Sequence, residues 1–317
     1  MSTIAGPTAP ALREHYRIWP LARLEAVRYA RHPLFLVGLL LGVLASAGER
    51  GPIEIDYQVI PAFFIGVFGV VVGDRLTKST DRSRPIVDAA PAPETTRTAA
   101  VCLACVVPAT AGLALVLLHR AFVLADPIPD WMFGTYSPLD RFLITMVIPV
   151  IACAGGPLLG VAVGRWLRFP GASLLAVIVI LLWSEVAAYL PAQEMNAGSL
   201  FARSLHMATP YTAFGTGNYD INDDINEITL SVRSYTGSPL WFMLWTLTLC
   251  GFAVTAGLLH GAVGRTRSLI SRAVVALAII AVAAVILAVA AGNSGLSDTS
   301  PQGTLLVAIA APSGGDR

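Results

Sequence analysis

Charged residues are scarce in this sequence. Asp, Glu, Lys and Arg make up 13% of the 317 residues, about half the share of a soluble domain, whereas 55% of the residues are apolar. The formal net charge of +1 gives no indication of a nucleic-acid partner, and we expect none. Information about function must instead come from how the few charges are distributed along the chain.

Motifs that carry chemistry are also lacking. Lys78 is the only lysine, and Thr77 stands where an ATP-binding P-loop requires glycine, so we expect no ATP site of that kind in this chain. The five histidines are scattered, with no H-E-x-x-H, and no G-x-S-x-G is present. Asp220, Asn222 and Asp224 start like a calcium loop, but the glycine and glutamate required later in it are missing. We therefore predict no catalytic residue, metal or cofactor in this chain.

Cysteine is sparse as well, and all four cysteines fall inside apolar runs. Cys102 and Cys105 have the spacing of a redox or zinc pair, but no second pair accompanies them. We interpret the cysteines as small apolar packing residues. The first apolar run follows a long polar and basic stretch, so the sequence predicts no cleavable signal peptide.

Long apolar runs dominate what is present. A helix needs roughly 20 residues to cross a bilayer, and five of the seven runs reach that length or come within a residue of it. The first two are shorter, at 16 and 15 residues. The runs are 33–48, 59–73, 99–118, 142–164, 171–190, 239–263 and 273–291. Because a backbone in hydrocarbon must satisfy its own hydrogen bonds, the sequence predicts an all-α polytopic membrane protein with six core transmembrane helices and a seventh.

Positive charge is sorted by side across these runs. The segments on one side hold 15 of the 21 Lys and Arg residues, whereas the acidic residues favour the other side by 13 to six. The 15 are Arg13, Arg17, Arg23, Arg28, Arg31, Arg75, Lys78, Arg82, Arg84, Arg97, Arg165, Arg168, Arg265, Arg267 and Arg272. Short cytoplasmic loops retain Lys and Arg, so the bias predicts a multi-pass plasma-membrane protein with a cytoplasmic N-terminus.

The chain divides into five segments on this prediction. Residues 1–11 are predicted to be disordered, and 12–32 to form an amphipathic interfacial helix that turns at His32-Pro33 into the first span. A solvated basic arm is the alternative for 12–32. Residues 33–264 form the transmembrane core, 265–292 an additional transmembrane helix, and 293–317 an external tail. The longest outer segment is 191–238, with a strand-like stretch at 228–232.

Glu185 is the one carboxylate well within a predicted span. An ionisable group in hydrocarbon costs at least about 2.5 kcal/mol at the centre, so such a residue usually faces a cavity or a partner. Glu185 is therefore a candidate for the lining of a translocation path. The alternative is a carboxylate that extends to the outer headgroups, and the sequence does not decide between them.

Glycine and proline mark two further features of the spans. Gly66, Gly69 and Gly73 on the second span and Gly160 and Gly164 on the fourth are predicted to allow close helix contacts. Pro108 in the third span, and Pro149 with the Gly155-Gly156-Pro157 sequence in the fourth, predict kinks.

The order of these parts resembles the membrane subunit of type-2 ATP-binding cassette exporters over residues 12–264. A basic surface helix (LARLEAVRYARHP) leads into the first span, a charged loop (GDRLTKSTDRSRPIVDAAPAPETTR) follows the second, and the longest outer segment lies between spans five and six. The seventh span and outer tail depart from that layout, since the family's core usually has six spans and a cytoplasmic C-terminus. The resemblance implies a coupling loop at 74–98 that docks on a separate ATPase subunit carrying Mg-ATP. Its candidate residues are Arg75, Lys78, Asp81, Arg82, Arg84 and Asp88.

The function expected from this resemblance is that of a non-catalytic permease subunit. Two permease chains embedded in membrane lipids would form the path, and the substrate would be exported and amphipathic or apolar. A membrane-embedded sensor or assembly protein is one alternative. A lipid-modifying enzyme that uses outer-face residues such as Glu185, Asp220 and His206 is another.

Overall fold

The computed structural model describes residues 12–48, 60–82, 92–123, 137–195, 221–222, 225–226, 229–230, 233–234 and 238–291. Helices make up every long element in these ranges. They are α1 (Leu12–Ala30), α2 (Pro33–Gly48), α3 (Ile60–Arg82), α4 (Glu94–Ala104), α5 (Val106–Val123), α6 (Pro138–Phe142), a π-helical turn (Leu143–Val147), α7 (Ile148–Trp166), α8 (Ala172–Met195), α9 (Pro239–His260) and α10 (Gly264–Ala290).

Four two-residue strands lie between α8 and α9 in the chain. They are β1 (Ile221–Asn222), β2 (Ile225–Asn226), β3 (Thr229–Leu230) and β4 (Arg233–Ser234). β1 pairs with β4 and β2 with β3, both antiparallel. The strand-like stretch predicted at 228–232 contains β3, and the long elements among the described residues are helices.

Four helical segments are long and apolar enough to cross a membrane by length and composition. They are Glu94–Leu118, Pro138–Trp166, Pro239–His260 and Gly264–Ala290. The bent pair Ile18–Ala30 and Pro33–Ala45 makes a fifth if it counts as one span, and Ala172–Trp183 is a shorter apolar helix. The fold is thus consistent with the predicted helical membrane protein, whereas the count of seven spans stays a prediction.

Two helix boundaries differ from the limits of the apolar runs. α3 continues past Gly73, where the apolar run ends, and stops at Arg82. α4 begins at Glu94, five residues before the third apolar run. The charged segment 74–98 is therefore helical at both of its ends, which places Arg75 and Lys78 on α3.

The helix irregularities lie beside the predicted prolines. The third span is interrupted at Cys105, where the Cys105 N–H donates to the Cys102 carbonyl at 3.1 Å. Pro108 follows closely, and it has no N–H to donate to the Ala104 carbonyl. In the fourth span the π-helical turn precedes Pro149, whereas α7 continues through Pro157 without a break.

The closest helix packing joins α3 to α7 through glycine. A Cβ atom at Gly160 would overlap the Val70 carbonyl oxygen, and one at Gly156 would overlap that of Gly66. A Cβ at Gly73 would likewise overlap the Pro157 carbonyl oxygen. The backbones can approach this closely only because side chains are missing, which confirms the close contacts predicted for Gly66, Gly73 and Gly160; the contact of Gly156 was not predicted.

The N-terminal helix α1 meets α2 at an angle of 59°. Tyr29, near the end of α1, is buried, and its ring contacts that of Phe35 edge-on at 5.2 Å between centroids. Both residues belong to a core cluster with Ile65, Val72 and Val101. This aromatic pair fixes the elbow between α1 and α2 to the bundle.

The last helix, α10, packs against α9 through small residues. Ala281, Ala284 and Ala288 are buried, and the Ser238 N–H donates to the Ala288 carbonyl at 2.9 Å. Large apolar residues of α10, such as Ile279 and Val282, are exposed. An apolar helix that leaves such residues uncovered is typical of a lipid-facing position.

Candidate functional site

Charged side chains of five helices lie close together at one end of the bundle. We call this region the charged end and define it by Glu25, Asp74, Lys78, Glu94, Arg165 and His260. Residues of α1, α3, α4, α7 and α9 contribute to it. The close approach of α3 and α7 continues into this region, because a Cβ at Gly164 would lie 3.1 Å from the Asp74 carbonyl oxygen.

Glu94 joins three helices within the charged end. Its Oε1 atom lies 3.4 Å from Nη1 of Arg165, at the end of α7, and 3.0 Å from Nδ1 of His260, the last residue of α9. The Arg165 side chain is 1% exposed, whereas that of Glu94 is 23% exposed. A carboxylate in the first turn of α4 also suits the positive end of the helix dipole.

Trp166 reinforces the contact between α7 and α9. Its indole N–H donates to the Ala256 carbonyl at 2.8 Å. Its ring meets that of His260 nearly at right angles, with 5.5 Å between centroids. Two successive residues, Arg165 and Trp166, thus connect the end of α7 to α4 and α9.

A second ion pair lies on α3. Lys78 Nζ is 2.8 Å from Oδ1 of Asp74, one turn earlier, and it donates to the Phe169 carbonyl at 3.2 Å. Asp74 is buried, and Thr77 beside it donates from its hydroxyl to the Gly73 carbonyl. Lys78 therefore binds the chain just beyond α7 to α3.

A third group of contacts connects α1 to α3. Arg28 pairs with Glu25 at 2.7 Å and donates from Nη2 to the Ser79 hydroxyl, also at 2.7 Å. Burial raises the pKa of the Glu25 carboxyl, and the Arg28 guanidinium opposes that rise. Arg28 holds the N-terminal helix against the polar end of α3.

The structure describes only part of the predicted coupling set. Arg75 is exposed on α3, and Lys78 is partly exposed and forms the pair with Asp74. Asp81 and Arg82 complete α3, but their side chains lie outside the described residues, as do Arg84 and Asp88 entirely.

The predicted path residue and the outer-face residues also lie largely outside the residues that the structure describes. Glu185 lies on α8, with its side chain outside the described part. His206 and Asp220 belong to segments that are not described. Whether Glu185 lines a path therefore stays open.

Sequence reasoning missed the cluster of Glu94, Arg165 and His260. Glu94 and Arg165 are 71 residues apart, and Glu94 and His260 are 166 residues apart. No local pattern connects such distant positions. One signal was present: Arg165 directly follows the Gly160 and Gly164 contact face, which places it where two helices approach closely.

The cluster links helices through charge. Glu94 faces one buried cation permanently and a second whenever His260 is protonated, and such contacts are stronger away from water. Among the residues that the structure describes, no group of three or more His, Cys, Asp and Glu side chains is arranged to hold a metal ion. The described contacts thus join the start of α4 to the ends of α7 and α9.

No protein-family model, no curated protein and no solved structure matches this chain. Inference about its function therefore depends on the charge distribution, the layout of the helices and the geometry of the charged end.

Proposed function

We propose that this chain is the membrane-spanning permease subunit of an ATP-driven exporter of the type-2 ATP-binding cassette kind. The observation that carries the proposal is how the segment 83–91 is anchored. The helix before it, α3, packs on α7 through glycine, and the helix after it, α4, is joined to α7 by the contact of Glu94 with the buried Arg165. A soluble partner that docks on this segment would therefore act on the centre of the bundle.

The first anchor is the contact between α3 and α7. Glycine packing from Gly66 to Gly164 leaves these helices little freedom to separate, and Lys78 adds the bond to the Phe169 carbonyl. Because close-packed helices transmit strain, a force on the chain beyond Arg82 would pass along α3 to α7.

The second anchor is Glu94, three residues beyond the segment. Its contacts with Arg165 and His260 extend from the start of α4 to the ends of α7 and α9. In this proposal the ion pairs rearrange when the exporter changes state, as interface salt bridges do in other switching proteins.

The topology within this proposal follows the charge bias. The charged end faces the cytoplasm, as does the N-terminus, and the chain is a multi-pass protein of the plasma membrane. A second permease chain completes the path, and a partner ATPase subunit supplies Mg-ATP hydrolysis. The substrate is exported and is amphipathic or apolar.

The test reverses charge at the proposed docking segment. The double variant Arg82→Glu and Arg84→Glu should reduce both ATPase co-purification and transport-linked ATP hydrolysis, while the chain still inserts in the membrane. Arg265→Glu with Arg267→Glu is the matched control, because both residues are exposed at the start of α10 on the same predicted side. This control should retain partner binding and hydrolysis.

Two results would count against the proposal. One is that no ATPase co-purifies with the unmodified chain from its native membrane. The other is that both double variants lose partner binding equally, since a general effect of negative charge would then explain the loss.

A further inference from the structure

A groove of about 830 Å³ lies between the elbow of α1 and α2 and the charged half of α3. Its volume is within the range of small-molecule sites, roughly 300–1,000 Å³. Apolar and basic side chains share its lining. The lining residues are Leu24, Val27, Arg28, Arg31, His32, Pro33, Arg75, Leu76, Lys78 and Ser79.

The basic side chains of the groove are only partly neutralised by the protein. Arg28 is paired with Glu25, and Lys78 with Asp74. Arg31 and Arg75 are exposed and have no acidic partner within the part of the chain that the structure describes. Two guanidinium groups are therefore available to an anion, and guanidinium binds phosphate through two parallel hydrogen bonds.

The apolar side of the groove has the opposite character. Leu24 is 56% exposed and Val27 is 42% exposed, on the face of α1 that borders the groove. Leu76, also in the lining, is buried. A ligand that fits both sides carries a negative headgroup and an apolar chain.

The groove lies at the expected membrane interface, where the headgroup of such a molecule would be. It opens at the bend where the amphipathic α1 becomes the apolar α2, and Trp19, 70% exposed on α1, is a residue typical of the membrane interface. The first residue of α2, Pro33, is in its wall, so the positive end of that helix dipole adds to the attraction for an anion.

We propose that this groove binds the headgroup of an anionic phospholipid, with Arg31 and Arg75 on its phosphate and Leu24 and Val27 beside its acyl chain. One lipid would then be bound by basic residues of α1 and α3, two elements that are distant in sequence. The bound lipid holds the elbow against α3 and stabilises their arrangement. This inference is independent of the exporter proposal, because it involves neither ATP nor a partner protein.

The experiment titrates the purified full chain in detergent with phosphatidylglycerol and with phosphatidylcholine of the same acyl chains, and counts bound lipids by native mass spectrometry. Phosphatidylglycerol should bind more tightly than phosphatidylcholine. Each basic residue near an anionic lipid contributes about fivefold in affinity, so Arg31→Gln with Arg75→Gln should weaken phosphatidylglycerol binding about 25-fold. Arg265→Gln with Arg267→Gln, which removes two exposed arginines outside the groove, should leave binding unchanged.

Two further arms keep the test decisive. Arg31→Lys with Arg75→Lys retains the charge but not the paired hydrogen bonds, so it should bind phosphatidylglycerol more tightly than the glutamine double variant and less tightly than the unmodified chain, which separates the loss of an anion site from misfolding. Inorganic phosphate at millimolar concentration should fail to displace the lipid. Equal binding of the two lipids, equal loss in the two glutamine double variants, or displacement by inorganic phosphate would each overturn the proposal.

Discussion

Arg165 and Glu94 face each other across 71 residues of sequence, with 3.4 Å between Nη1 and Oε1. The Arg165 side chain is almost completely buried, whereas water reaches part of Glu94. A buried charge is tolerated only with a partner, because its removal from water costs several kcal/mol. The pair therefore couples the end of α7 to the start of α4, and each side chain depends on the other.

The first prediction concerns this pair. Glu94→Gln should lower the free energy of unfolding by about 3 kcal/mol, because it removes the negative charge that faces a buried guanidinium. Thermal unfolding of the purified protein in detergent measures the change. Arg168→Gln is the control, since Arg168 is exposed just beyond the end of α7, and it should change stability little.

The double variant Glu94→Gln with Arg165→Met sharpens this prediction. It removes both charges, so it should be less destabilised than the sum of the two single variants. Strict additivity would show that the two side chains do not interact and would contradict the assignment.

Gly160 offers a prediction about the contact of α3 with α7. Gly160→Ala places a methyl group against the Val70 carbonyl, which is backbone and cannot rotate away. Overpacking of this kind costs typically about 1–3 kcal/mol. Gly257→Ala is the matched control, because its Cβ would lie at ordinary distances of 3.4 and 3.5 Å from side-chain atoms of Thr98 and Val161. The control should be neutral or stabilising in thermal unfolding, and equal losses in both variants would contradict the proposed packing.

The helices could be predicted because their signal is local. Each apolar run from 33–48 to 273–291 overlaps a helix, and the glycine spacing that places Gly160 near α3 is visible within one turn. The runs failed to predict how far α3 extends, since Asp74, Arg75 and Lys78 end the apolar pattern without ending the helix. A polar residue stops hydrophobic periodicity, whereas helical hydrogen bonding continues through it.

The charged end could not be predicted because its contacts are not local. His260 appeared as one of five scattered histidines, and Arg165 as one of the basic residues that fix orientation. Only the packing of α4, α7 and α9 brings them to Glu94. The groove beside α1 could not be predicted either, because Arg31 and Arg75 are far apart in sequence and only the packing of α1 on α3 brings them together.

The Tyr29 hydroxyl yields a prediction in which a substitution does not lower the free energy of unfolding. The hydroxyl is buried and has no hydrogen-bond partner among the described residues. A buried polar atom without a partner costs about 1–3 kcal/mol, so Tyr29→Phe should leave stability unchanged or raise it. Tyr29→Ala should instead destabilise by about 3–5 kcal/mol, since it removes the ring that packs on Phe35. Destabilisation by the phenylalanine variant in thermal unfolding would reveal a partner for the hydroxyl.

The last prediction concerns pH and His32, at the bend between α1 and α2. Burial lowers the pKa of this imidazole from its ordinary value of 6.5, and the nearby Arg75 guanidinium lowers it further. The Leu34 N–H donates to Nδ1 at 3.3 Å, which requires that nitrogen to be unprotonated. The folded state therefore favours the neutral ring.

The direction of the pH effect follows from that preference. The contribution of His32 to stability is complete above pH 6.5, and it is lost as the pH falls through the lower pKa of the folded state. NMR titration of the histidine ring in micelles should give a pKa below 6.5, and Arg75→Gln should raise it, whereas Arg265→Gln should not. A His32 pKa at or above the ordinary value, or one that does not change in the Arg75→Gln variant, would refute this account.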